Sequence, residues 1–271
     1  MVNGAVRQVR RSNFGFILAG ALAVAMVSAG SSSAFAQKEP VCAAPSTLTR
    51  AGFQLPMLAK SLEENAPTTI LVINSATVAK KVTPKPGAEK DAMPRSFPSY
   101  IEEILRTRYP KGNINVETHN QPRATAETVI DALPAILEKT KPALMIWQTG
   151  TYDAILGADN AMFADAVGTG IGFAHAAGAD VILVSPQYSP RTSFAFDVAP
   201  YNNTLRWAAR AREVPFFDRY DIMRFWEQEG IFDFDSSRPS PSLFEDVHRC
   251  IGRLLVGMIA DGVDTRTIGS R

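Results

Sequence analysis

Short polar clusters interrupt otherwise apolar stretches of this sequence, and they hold the residue types that acyl transfer needs. Ile70-Leu71-Val72-Ile73 ends at Asn74-Ser75, and Ala143–Trp147 ends at Gln148-Thr149-Gly150-Thr151-Tyr152-Asp153. A third apolar run ends at Ser185-Pro186-Gln187-Tyr188, and Glu245-Asp246-Val247-His248 stands before the last helical stretch. A serine hydroxyl is weakly nucleophilic at neutral pH. A histidine must take its proton, and a carboxylate must hold that histidine in the right tautomer. Ser75, His248 and Glu245 match those roles by type, with Asp246 as the adjacent candidate acid. Taken alone, Asn74-Ser75 also reads as a simple cap for the next element.

A strand-end serine matters most in a parallel sheet, because open parallel sheets bind their ligands at that edge. Residues 70–73 have the β-branched, two-sided apolar character of a fully buried strand. The pattern predicts further strands over 113–118, 143–147, 180–185 and 214–217. Helices are predicted near 57–64 and over 100–109, 125–139, 161–177, 202–212, 221–229 and 243–260. Strands alternating with helices imply crossover connections and an α/β three-layer sandwich with a five-stranded, mostly parallel sheet. The polar clusters then share one edge. Tyr188 and Arg191 follow the fourth strand on that edge and are candidate substrate contacts. Trp147, Trp207 and Trp226 are read as packing residues.

The chain has 271 residues, 46% hydrophobic and 20% charged, an ordinary globular composition. Its first 36 residues show a basic head (Arg7, Arg10, Arg11), an apolar run from Phe14 to Gly30 and the small-residue motif Ala34-Phe35-Ala36. That is the anatomy of a signal peptide cleaved before Gln37, with an uncleaved membrane anchor as the alternative. The expected organisation is a signal peptide at 1–36, an N-terminal arm lying over the domain surface at 37–67, a domain at 68–262 and a C-terminal tail at 263–271. The product would be exported, periplasmic or secreted. No membrane span is expected after cleavage. Residues 78–98, rich in lysine and proline, read as a long loop beside the serine.

Removing the leader leaves 25 basic against 27 acidic residues, a net charge near −2. This balance gives no reason to expect nucleic acid as a partner. Cys42 and Cys250 are the only cysteines. Export favours their pairing, with two free thiols as the alternative. A loop that long gives a disulfide about 5 kcal/mol at most. Cysteine and histidine spacings offer no metal site, and no cofactor is expected.

From about Pro67 to Ile259 the order and spacing of the clusters resemble the SGNH hydrolase superfamily, the GDSL-type esterases and lipases. The family's Gly-Asp-Ser block corresponds to Ile73-Asn74-Ser75, which keeps the serine. Its second block, a glycine two residues before a threonine, corresponds to Arg123-Ala124-Thr125. Its Gly-x-Asn-Asp block corresponds to Gly150-Thr151-Tyr152-Asp153, with Tyr152 in place of asparagine. Its Asp-x-x-His block corresponds to Glu245-Asp246-Val247-His248.

The resemblance implies a flavodoxin-like strand order, Ser75 as nucleophile, His248 as general base and Glu245 as its orienting acid. It also implies an oxyanion hole made from the Ser75 and Arg123 main-chain N–H groups, with Tyr152 where the family has an amide. Losing one such donor costs about 100- to 1,000-fold in turnover. Two functions follow. One is an exported serine esterase or acyl-transfer enzyme acting on acetyl or short acyl esters of small molecules or glycans. The other is a catalytically impaired relative that serves as a polysaccharide-binding or scaffold module.

Overall fold

β1 (Thr68–Asn74) is apolar on both faces because it lies inside the sheet. It pairs with β2 (Ile114–Asn120) on one side and β3 (Leu144–Gln148) on the other. β4 (Asp180–Val184) and β5 (Phe216–Phe217) extend the sheet, giving the order β2-β1-β3-β4-β5 with every pair parallel. This is the flavodoxin-like order, and all the strands end along one edge. The computed structural model describes residues 41–75 and 95–264. The expected signal peptide, most of the lysine-proline loop and residues 265–271 lie outside the described residues.

Alternation along the strands sends side chains to two cores. Ile70, Val72, Leu144, Ile146, Ile182, Val184 and Phe217 pack under α1 (Ser46–Thr49), α2 (Pro56–Glu63), α3 (Phe97–Arg108), α8 (Arg219–Gln228) and α9 (Leu243–Val263). Leu71, Ile73, Met145, Trp147, Val181 and Leu183 pack under α4 (Ala126–Thr140), α6 (Asn160–Ala176) and α7 (Ala199–Ala211). The short α5 (Thr151–Leu156) follows β3 directly. Two glycines let helices approach closely. A Cβ on Gly170 of α6 would lie 2.4 Å from the Trp147 ring, and one on Gly252 of α9 would lie 2.7 Å from Tyr100 Cβ on α3.

The structure departs from the sequence expectations in several places. The segment before the domain does more than lie over its surface. Leu55 and Leu58 are buried in the core, the Leu55 N–H donates to Gly262 O, and Trp226 Nε1 donates to Ala43 O. Cys42 and Cys250 form a disulfide that ties this segment to α9. Glu245 to His248 fall inside the last helix, as its predicted range of 243–260 implies, and not before it. They form its first turns, where Glu245 and Asp246 complement the positive end of the helix dipole. α1 and α5 were not predicted, since both are too short to show an apolar period. Trp207 is 69% exposed, so it is not a packing residue. Among the described residues, no helix is long and apolar enough to cross a membrane.

Candidate active site

Ser75 follows the last residue of β1 and is 6% exposed. The pairing of β1 with β3 ends at Ile73 and Trp147, so Ser75 lies just past the paired region. The segment after β2 is stitched to the same strand end: Gln121 N–H donates to Asn74 O at 2.9 Å and Arg123 N–H to Ser75 O at 3.3 Å. Arg123 has φ +64°, the left-handed conformation that a glycine adopts without penalty. In this arrangement the Arg123 amide binds the carbonyl of Ser75. Thr125 then caps α4, its hydroxyl accepting from Thr128 N–H at 3.2 Å.

Gly150 has φ +93°, a conformation that calls for glycine, and a Cβ there would meet Pro186 Cγ at a tight 3.2 Å. It starts α5, on which Tyr152 is half-buried and Asp153 buried. Asp153 Oδ1 accepts from Ala126 N–H at 2.9 Å, which clamps the start of α4 to the start of α5. Its Oδ2 is buried without a partner among the described residues, and burial raises the carboxyl pKa. Asp153 thus holds the Arg123 and Gly150 blocks together.

His248 lies on the other side of the strand ends, on α9. Its ring lies between Phe97, stacked at 5.9 Å, and Phe244 at 4.2 Å. Its Nδ1 accepts from the Phe97 amide at 3.1 Å. A nitrogen that accepts is unprotonated, so the neutral ring carries its proton on Nε2. Burial, and secondarily the charge of Arg219, push its pKa down to about 3. Glu245 does not reach it. Glu245 Oε1 accepts from the Tyr100 hydroxyl at 2.7 Å, and Asp246 pairs with Arg249 at 3.6 Å. The expected carboxylate position at Nδ1 is held by a backbone amide instead. Among the described residues, no hydrogen bond links His248 to Ser75.

Beside His248 opens a cleft of about 310 Å³. Tyr188 lines it, in edge contact with Tyr220 and Phe234, and Glu227 together with burial raises its phenol to about 12. Arg191 does not line it. Its Nη1 donates to Ser236 O at 2.9 Å and fastens one loop to another. Sequence reasoning did not single out Arg219, which is 3% exposed and lies in the cleft wall with His248. An arginine opening a helix after an aspartate looks like a surface charge. Only the strand order brings it to Gln148 and Gln187 at the ends of β3 and β4.

The model of the non-GDSL lipase-like family matches residues 41–265. No curated protein matches the chain at a significant level. Among solved structures, a catalytic mutant of Axe2, an acetylxylan esterase from Geobacillus stearothermophilus, aligns with TM-score 0.53 at 13% identity, covering 76% of this chain and 97% of that one. LAE5, an alpha/beta hydrolase enzyme from the metagenome of Lake Arreo, Spain, aligns with TM-score 0.54 at 12% identity, covering 72% and 96%. At these identities the likeness is one of fold.

Proposed function

The chain belongs to the non-GDSL lipase-like family, within the SGNH hydrolase superfamily, and we propose that it is an exported serine ester hydrolase acting on acetyl or short acyl esters. The observation that carries this reading is the strand-end geometry. Ser75 is held at the active edge, and Arg123 keeps a left-handed backbone beside it although its side chain disfavours that conformation. Ser75 Oγ attacks the ester carbonyl, the alcohol leaves, and water releases the acyl group from the serine. His248 is the base. To act, it must carry its proton on Nδ1 and present Nε2 to the serine, so it exchanges the Phe97 amide for a carboxylate, with Glu245, three residues earlier, as the first candidate and Asp246 as the second. The acetylxylan esterase neighbour supports acetyl groups on glycans as a substrate class. The leader-like first 36 residues and the Cys42–Cys250 disulfide support export.

One observation favours the second reading, a binding module without turnover. His248 is held as the Nε2-protonated tautomer and resists protonation, both unsuited to a base working near neutral pH. Incubating the mature protein with an aryl acetate and a serine-directed fluorophosphonate separates the two. Wild type is expected to turn over and label, Ser75→Ala to do neither, and His248→Ala to lose about 100- to 10,000-fold in turnover. Labelling that persists in Ser75→Ala sinks the nucleophile assignment. A folded wild type that neither labels nor turns over supports the binding module.

A further inference from the structure

We propose that the cleft beside His248 is an anion subsite built around Arg219, and that its occupant is a carboxylate carried by the substrate. The link to substrate rests on the ester hydrolase reading; the anion site itself does not.

A guanidinium has five N–H donors. In Arg219, Nη1 donates to Gln148 Oε1 at 3.0 Å and Nη2 to Gln187 Oε1 at 3.2 Å. Nε is buried and has no partner among the described residues. Three donors are therefore left without a partner among the described residues. The neighbouring carboxylate is otherwise engaged: Asp218 Oδ1 accepts from Ser185 Oγ, Asn202 Nδ2 and the Asp221 N–H, and Oδ2 accepts from Arg206. Arg206 pairs with both Asp218 and Asp221, while no carboxylate among the described residues pairs with Arg219. Buried charges are ordinarily paired, because burial alone strongly disfavours the charged form. Burial lowers this one to about 10. Two glutamine carbonyls orient the guanidinium without neutralising it.

The surroundings suit a small acid. The cleft is at the low end of ligand-pocket volumes, with Tyr188, Phe234 and Phe244 as apolar walls that strengthen a charged contact. A planar fork of parallel N–H groups matches a carboxylate in two-point contact. Such an occupant would also offset the Arg219 charge, the lesser of the two effects that disfavour protonation of His248, while burial, the larger, remains.

The test is calorimetric titration of folded wild type and Ser75→Ala with succinate, beside neutral succinamide, inorganic phosphate and sulfate. Succinate is expected to bind both proteins equally and succinamide neither. The Arg219 Nε–H resonance should shift on titration, which locates the site without any variant. Arg219→Gln should weaken succinate at least about 10-fold, and Arg219→Lys should restore part of it. For turnover, aryl hemisuccinate should exceed aryl acetate in kcat/KM by about 10-fold or more, a preference absent in Arg219→Gln. No succinate binding, or binding that leaves the Nε–H resonance unmoved, overturns the proposal. Binding of phosphate or sulfate alone overturns the carboxylate assignment. Succinate binding with no ester turned over removes the hydrolase reading and leaves the anion site. Ser75-dependent turnover with no anion bound does the reverse.

Discussion

At the level of single residues, Arg123 separates what its side chain contributes from what its backbone contributes. Its amide bonds the Ser75 carbonyl while φ stands at +64°. A non-glycine residue there is strained by about 1 kcal/mol. Arg123→Gly removes that strain and keeps the amide, at some cost in unfolded-state entropy. We expect a gain of about 0.5–1 kcal/mol, a rise in Tm of about 1–4 °C, and ester turnover unchanged. A fall in Tm would show that the guanidinium makes contacts worth more than the strain, and lost turnover with Tm preserved would assign it to the reaction. The positions of Ser75 just past a strand and of His248 near a helix start were legible in the sequence, because strand-end and helix-start signals flank them. The partner of His248 was not. Glu245 is three residues earlier on the same helix, but Tyr100, brought across from α3, takes its carboxylate.

At the level of elements, the site depends on how closely α9 approaches α3. Gly252 sits where the two helices meet: an added Cβ would lie 2.7 Å from Tyr100 Cβ and 3.2 Å from Phe97 O. Neither is the free end of a flexible side chain, so the helices themselves must part. Gly252→Ala is expected to cost about 1–3 kcal/mol in urea denaturation, set against a helix-propensity gain near 1 kcal/mol. It should also loosen the Phe97 amide from His248, seen as a shift of both resonances. Equal or greater stability with unmoved resonances would mean that the contact is not tight. The strands and long helices were readable from apolar period to within a few residues. Helix contacts were not, because a glycine in a helix marks close packing without naming the neighbour. The short α5 was hidden for a related reason: six residues between two glycines look like a loop.

At the scale of the whole molecule, the chain before the sheet is built into the fold by several ties. The Cys42–Cys250 disulfide spans 208 residues, and Ala51 N–H donates to Asp261 Oδ2 at 3.0 Å. Pro40, Pro45, Pro56 and Pro67 interrupt residues 37–67, and the depth of this insertion was hidden because period fails where each turn contributes only one or two buried residues. One tie makes global stability depend on pH. Asp180, at the start of β4, accepts from Leu58 N–H of α2 at 2.9 Å, and burial raises its carboxyl to about 6. A carboxyl raised above its unfolded value favours the folded state when protonated. Its contribution is therefore full below about pH 4 and is lost as pH rises through about 6. Asp180→Asn keeps an oxygen acceptor for Leu58 and carries no charge. The variant should be more stable than wild type at pH 7 by on the order of 2 kcal/mol, with the difference shrinking toward pH 4. Urea midpoints at half-unit pH steps measure this. Parallel wild-type and variant curves between pH 4 and 6 would show that Asp180 titrates normally and that its bond to Leu58 offsets its burial.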